Sequence, residues 1–145
     1  MQRKASAVWK GTLKEGKGTV STDSGTLRES PYTFGTRFET QAGTNPEELL
    51  AAAHAGCFSM ALANQLGTQG LNPESIETKA TLTLEKQEAG FTITGINLDV
   101  TARVPNADRT KFEEAANKAK TGCIISRALN ANITLTTKLV SERAA

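Results

Sequence analysis

Cys57 and Cys123 are the only cysteines of the chain, 66 positions apart. Such a pair can act as an attacking and a resolving thiol if the fold brings the sulfurs together. Cys57 lies in the small-residue run Ala51-Ala52-Ala53-His54-Ala55-Gly56-Cys57-Phe58-Ser59-Met60, and Cys123 follows Gly122 at the break between two helical patterns. The same residues could serve as packing, because free cysteine is among the most buried residue types. As a nucleophile Cys57 would need a local cation, since the helix dipole fades within the first turn and Cys57 is mid-helix. His54, three residues earlier on the same helical face, is one candidate, although i,i+3 neighbours touch whatever their function. Arg37 is the other: it falls between Phe34 and Phe38, and Gly35 leaves room for close approach. Its alternative is a solvated strand arginine. Glu47 suits the first turn of a helix without any further role. Because Glu48 already occupies the capping position, however, Glu47 is left over to orient an arginine.

The rest of the inventory excludes several chemistries. One histidine and two distant cysteines do not make a zinc spacing, so no metal is expected. No Gly-rich loop follows a strand and opens a helix, and no nucleophile elbow accompanies the single histidine. A net charge of +2, from 17 basic and 15 acidic residues dispersed along 145 positions, does not favour nucleic acid or a membrane surface. The first ten residues hold no apolar core of a signal peptide. No stretch approaches the ~20 apolar residues of a membrane span. The expectation is one domain over residues 1–145 in the cytoplasm, where a disulfide would be transient and catalytic rather than structural.

The elements that must position these residues follow from periodicity. Strands are predicted over 5–11 and 17–22, joined by the turn at Lys14–Gly18, with a third over Phe34–Glu39. Thr44-Asn45-Pro46-Glu47-Glu48 is a helix start, with Asn45 as N-cap and Pro46 in the first turn. This helix runs to about Leu66, with an apolar stripe of Leu50, Ala53, Cys57, Met60 and Ala61 that puts Cys57 on the buried side. Ala80, Leu82 and Leu84 alternate with polar neighbours in a strand over 76–86. In the next strand the apolar residues shift from odd to even positions at Gly95, which predicts a bulge. Helices over 108–121 and from about Cys123 to Leu129 precede a closing strand carrying Ile133, Leu135 and Leu139. The class is α+β with largely antiparallel pairing.

Lys and Arg are absent from 38 to 78, so the central helix has little polar surface and is expected to be buried on most of its circumference. A homodimer pairing two such helices across a twofold axis, wrapped by both sheets, would achieve that. In one straight helix Glu47 and Cys57 would lie about 15 Å apart along the axis and about 80° apart around it. A site shared between chains, or a break near Leu50, would reconcile them.

Gly43-Thr44-Asn45-Pro46-Glu47-Glu48-Leu49-Leu50 and Ala53-His54-Ala55-Gly56-Cys57-Phe58-Ser59-Met60-Ala61-Leu62 resemble the central signature of the osmotically inducible protein C and organic hydroperoxide resistance (OsmC/Ohr) family. Phe34–Glu39 and Lys118–Cys123 are similar to its osmotically inducible branch, and the likeness extends over roughly residues 5–140. The resemblance implies an OsmC-like fold, with sheets wrapped around a central buried helix in an intertwined homodimer. It further implies a thiol-dependent peroxidase acting on organic hydroperoxides without a bound cofactor. Cys57 would be the peroxidatic cysteine and Cys123 the resolving one. Arg37 would stabilise the Cys57 thiolate, Glu47 would hold Arg37, and a dithiol of lipoyl type would be the reductant. Phe34, Phe38, Phe58 and Met60 would suit a pocket for an organic peroxide. Ile124 departs from the pattern, since a proline often follows the second cysteine; it leaves a free N–H beside Cys123. The competing readings are a non-redox binding module with an apolar groove, and a Cys–His hydrolase using Cys57 and His54.

Overall fold

The computed structural model describes residues 1–141 and falls into two compact units that meet in sequence at Leu49/Leu50. In the first unit, β1 (Ala5–Lys10), β2 (Lys17–Thr22) and β3 (Ser30–Tyr32) form an antiparallel sheet in that order, followed by α1 (Phe34–Phe38). Gly18 of β2 is a packing requirement. A Cβ there would meet the rings of Trp9 and Tyr32 at 2.6 Å, and those rings lie 5.4 Å apart between centroids.

The strand predicted over Phe34–Glu39 is instead a helix over Phe34–Phe38, with Glu39 as its extended C-cap. Thr33 and Thr36 cap it reciprocally: the Thr36 N–H donates to Thr33 Oγ1 (3.2 Å), and the Thr33 N–H donates to Thr36 Oγ1 (2.9 Å). Helical spacing then stacks Phe34 on Phe38, with centroids 5.1 Å apart.

α2 spans Pro46–Thr68 without interruption, so the break considered near Leu50 does not occur. Asn45 caps it, its Oδ1 accepting from the Glu48 N–H at 2.7 Å. The second unit adds β4 (Ser75–Gln87), β5 (Gly90–Arg103), α3 (Arg109–Gly122), α4 (Ile124–Ala128) and β6 (Asn132–Val140). β4 and β5 are antiparallel; Thr83 pairs with Gly95 and Leu84 with Ile93, so the bulged residue is Thr94, next to the predicted switch. The bulge keeps Ile96, Leu98, Val100 and Ala102 on one buried face. β6 joins β5 in parallel through the α3–α4 crossover, the one parallel pairing among the described residues.

The core of this unit gathers Phe58, Leu62 and Leu66 of α2 with that face of β5 and with Phe112, Ala115, Ala116 and Ala119 of α3. The buried stripe of α2 is therefore His54, Phe58, Leu62 and Leu66, not the predicted one. Met60 is 77% exposed, and Ala52, Ala53 and Gly56 are exposed as well. At 23 residues, with a mean hydropathy of 1.2 in its most apolar window, α2 is also long and apolar enough to cross a bilayer by length and composition. The core helix of a globular protein passes the same test, and α2 packs one stripe on the protein core.

Candidate functional site

Two constellations result, one in each unit. In the second, Cys57 on α2 meets Cys123 at the α3–α4 joint, with the sulfurs 2.8 Å apart. Gly122 ends α3, and Cys123 turns the chain into α4 with extended backbone (φ −55°, ψ 130°). The first N–H groups of a helix have no intrahelical partner. Here the Ile124 and Ile125 amides favour the Cys57 thiolate, and the Ile125 and Ser126 amides favour that of Cys123. The N–H of Ile124, which a proline would lack, is thus put to use.

The two thiols differ in access and in acidity. Cys123 is 1% exposed, whereas Cys57 is half-buried. Burial, followed by the hydrogen bond with Cys123, pushes the Cys57 thiol above its ordinary pKa, and the Ile125 and Ile124 amides offset this only in part. Burial acts against the Cys123 thiolate too. There it is outweighed by the hydrogen bond with Cys57 and by the influence of the Ser126 amide and hydroxyl and of the Ile125 amide, so its pKa lies below the usual value. Acidity within a single chain therefore favours Cys123, while access to a substrate favours Cys57. Access is the stricter condition, because a buried sulfur cannot be reached whatever its charge.

His54 is fully buried, and burial lowers its pKa. It therefore does not supply the positive field that Cys57 lacks. Its Nε2 lies 2.7 Å from Ser126 Oγ, while its Nδ1 has no partner among the described residues. Ser126 is the residue that the sequence analysis missed. The available signal was its place three residues after Cys123, where a side chain can fold back on a helix start.

In the first unit, Arg37 on α1 and Glu47 in the opening turn of α2 form a forked ion pair. Nε lies 2.9 and 3.2 Å from the two carboxylate oxygens, and Nη2 lies 2.7 Å from Oε1. The Arg37 guanidinium also sits 5.0 Å from the centroid of the Phe38 ring. A pair this exposed (39% and 14%) adds little stability; its consequence is a guanidinium held in one orientation. Arg37 shares a pocket of about 200 Å³ with Trp9, Leu13, Tyr32, Thr33, Phe34 and Phe38. Of the aromatics expected to line a pocket, Phe34 and Phe38 do so, whereas Phe58 is core. Among the described residues no group of three or more His, Cys, Asp or Glu is placed to hold a metal.

The profile of the OsmC-like protein family matches residues 39–138. The chain is 52% identical over 141 residues to Peroxiredoxin OsmC of Escherichia coli (strain K12), covering 97% of this chain and 99% of that one. It is 34% identical over 117 residues to the organic hydroperoxide resistance protein OhrB of Bacillus subtilis (strain 168), covering 80% and 84%. The crystal structure of the B. subtilis OhrB protein superposes with a TM-score of 0.70 at 28% identity, covering 93% of this chain and 98% of that one.

Proposed function

This chain belongs to the OsmC-like protein family, and we propose that it is a thiol-dependent peroxidase that reduces organic hydroperoxides to alcohols. The observation that carries the reading is the 2.8 Å approach of the two cysteines of the chain, one accessible and one buried. The Cys57 thiolate attacks the terminal peroxide oxygen, the O–O bond breaks, and the alkoxide leaves as alcohol on taking a proton. The Cys57 sulfenic acid condenses with Cys123, giving a disulfide and water before further oxidation can occur. An external dithiol of lipoyl type then opens the disulfide by exchange.

Cys57 needs a cation to be a thiolate at neutral pH, and Arg37, already oriented by Glu47, is the group suited to that role. In our reading it comes from a partner chain. α2 is one unbroken helix, so Glu47 and Cys57 are fixed ten residues apart along it, and its exposed Ala52, Ala53, Gly56 and Met60 offer an apolar face to a second copy. Each site of the homodimer then takes Cys57 and Cys123 from one chain and Arg37 and Glu47 from the other. The apolar walls beside Arg37 receive the alkyl group of the peroxide. The enzyme works in the cytoplasm, where the disulfide is kept transient.

Steady-state consumption with dihydrolipoamide as reductant tests the activity. The expected kcat/KM for cumene hydroperoxide exceeds that for hydrogen peroxide by about a hundredfold, as burying several carbon atoms at ~0.8 kcal/mol each implies. A binding module would consume neither, and equal rates would remove the apolar pocket from the account.

A further inference from the structure

We propose that His54 and Ser126 form a positioning pair for the resolving sulfur: neutral His54 donates its Nε2–H to Ser126 Oγ, which fixes the Ser126 hydroxyl proton toward Cys123 Sγ. Three observations meet here. His54 is fully buried, and its Nε2 stands 2.7 Å from Ser126 Oγ. Its Nδ1 is buried with no hydrogen-bond partner. Ser126 stands three residues after Cys123 in α4, and its hydroxyl is among the groups that favour the Cys123 thiolate.

These fix the direction of the bonds. A buried N–H without an acceptor is the costlier orphan, so the Nδ1 that lacks a partner is the unprotonated nitrogen and Nε2 carries the proton. Burial also holds the ring neutral. With Nε2–H as donor, Ser126 Oγ accepts from His54, and its single proton is left for Cys123. The bare alternative, a histidine that only fills space, would need no hydroxyl at this place.

The pair serves the second chemical step, so this inference rests on the peroxidase reading. Cys123 attacks as a thiolate: its electron pair forms the S–S bond while the S–O bond of the Cys57 sulfenic acid breaks. The departing hydroxide takes up the proton that the Cys123 thiol has lost and leaves as water. The Cys123 sulfur is oxidised and that of Cys57 reduced, with no further reactant. A hydroxyl aimed at the sulfur favours the thiolate before the attack and supports it as leaving group when the disulfide is reopened. The influences on Cys123 are burial, Cys57 on α2, Ser126 and Ile125; no charged side chain of α3, α4 or the second sheet is among them. For His54 burial is the cause.

The test is made in Cys57→Ser protein, where no peroxide chemistry occurs, so that it stands or falls separately from the activity. The ultraviolet thiolate absorbance of Cys123, the sole thiol left in this variant, is followed against pH, and folding is checked by circular dichroism. Ser126→Ala and His54→Leu are expected to move the midpoint up by about one pH unit, as loss of one hydrogen bond to a charged group implies. His54→Gln, which keeps a donor near Nε2, is expected to restore most of the shift. An unmoved midpoint in Ser126→Ala overturns the pair, and so does one in folded His54→Leu. A shift in His54→Gln as large as in His54→Leu overturns it as well. If His54→Leu does not fold, Ser126→Ala and His54→Gln decide.

Discussion

Cys57→Ser is expected to reduce peroxide consumption to the uncatalysed background, whereas Cys123→Ser is expected to release one equivalent of alcohol per chain and then stop. The asymmetry follows from access. Cys57 is half-buried and can meet a substrate, while Cys123 is closed off at 1% exposure. After the single turnover the Cys57 sulfenic acid has no partner thiol, and it should be trapped by dimedone and slowly overoxidised. Alcohol yield and dimedone mass label measure both effects. The lower pKa of Cys123 sets the opposite possibility: one equivalent of alcohol from Cys57→Ser and none from Cys123→Ser would exchange the two roles.

Arg37→Met is expected to slow the attack of Cys57 at neutral pH by about ten- to a hundredfold, because a neighbouring cation lowers a thiol pKa by roughly one to two units. The sign is fixed by the observed environment. Within one chain the Cys57 thiol is pushed up, chiefly by burial and then by Cys123, so without Arg37 the thiolate fraction falls at pH 7 and the rate climbs further into the alkaline range. Wild-type protein should reach its plateau at lower pH than Arg37→Met. Glu47→Ala should share the defect more mildly, since it frees the guanidinium without removing its charge. Mixing Cys57→Ser chains with Glu47→Ala chains then separates the geometries. Shared sites restore one intact site per heterodimer, while no recovery above the parents would place each site within one chain. An unshifted pH profile in Arg37→Met would remove the arginine from thiol activation altogether.

Much of this arrangement is legible in the sequence where local rules act alone. The Asn45-Pro46 helix start, the alternation of Ala80, Leu82 and Leu84, and the phase change beside Gly95 each follow from backbone geometry. Where two rules compete, the outcome is not readable. Phe34, Thr36 and Phe38 fit a strand by alternation and a helix by the Phe34/Phe38 spacing; the reciprocal Thr33/Thr36 caps tip it to helix. α2 is apolar nearly all round, so its pattern does not say which stripe a single chain buries, and His54, Phe58, Leu62 and Leu66 take that place. The pairing of Glu47 with Arg37 is suggested by the carboxylate left over beside the capping Glu48 and by the resemblance, and the forked geometry adds the orientation. Ser126 stayed hidden because its partners, His54 and Cys123, become neighbours only through tertiary packing. The relative acidity of the two thiols depends on burial and on backbone donors, neither of which composition reports.

The paired-cysteine centre is tested most directly by treating fully reduced protein with one equivalent of an alkyl hydroperoxide and mapping the non-reduced digest by mass spectrometry. The account predicts one alcohol per chain, together with a peptide pair joined through Cys57 and Cys123 at the same yield. Alcohol released while both thiols remain alkylatable, or peroxide left unconsumed by the reduced protein, would contradict it.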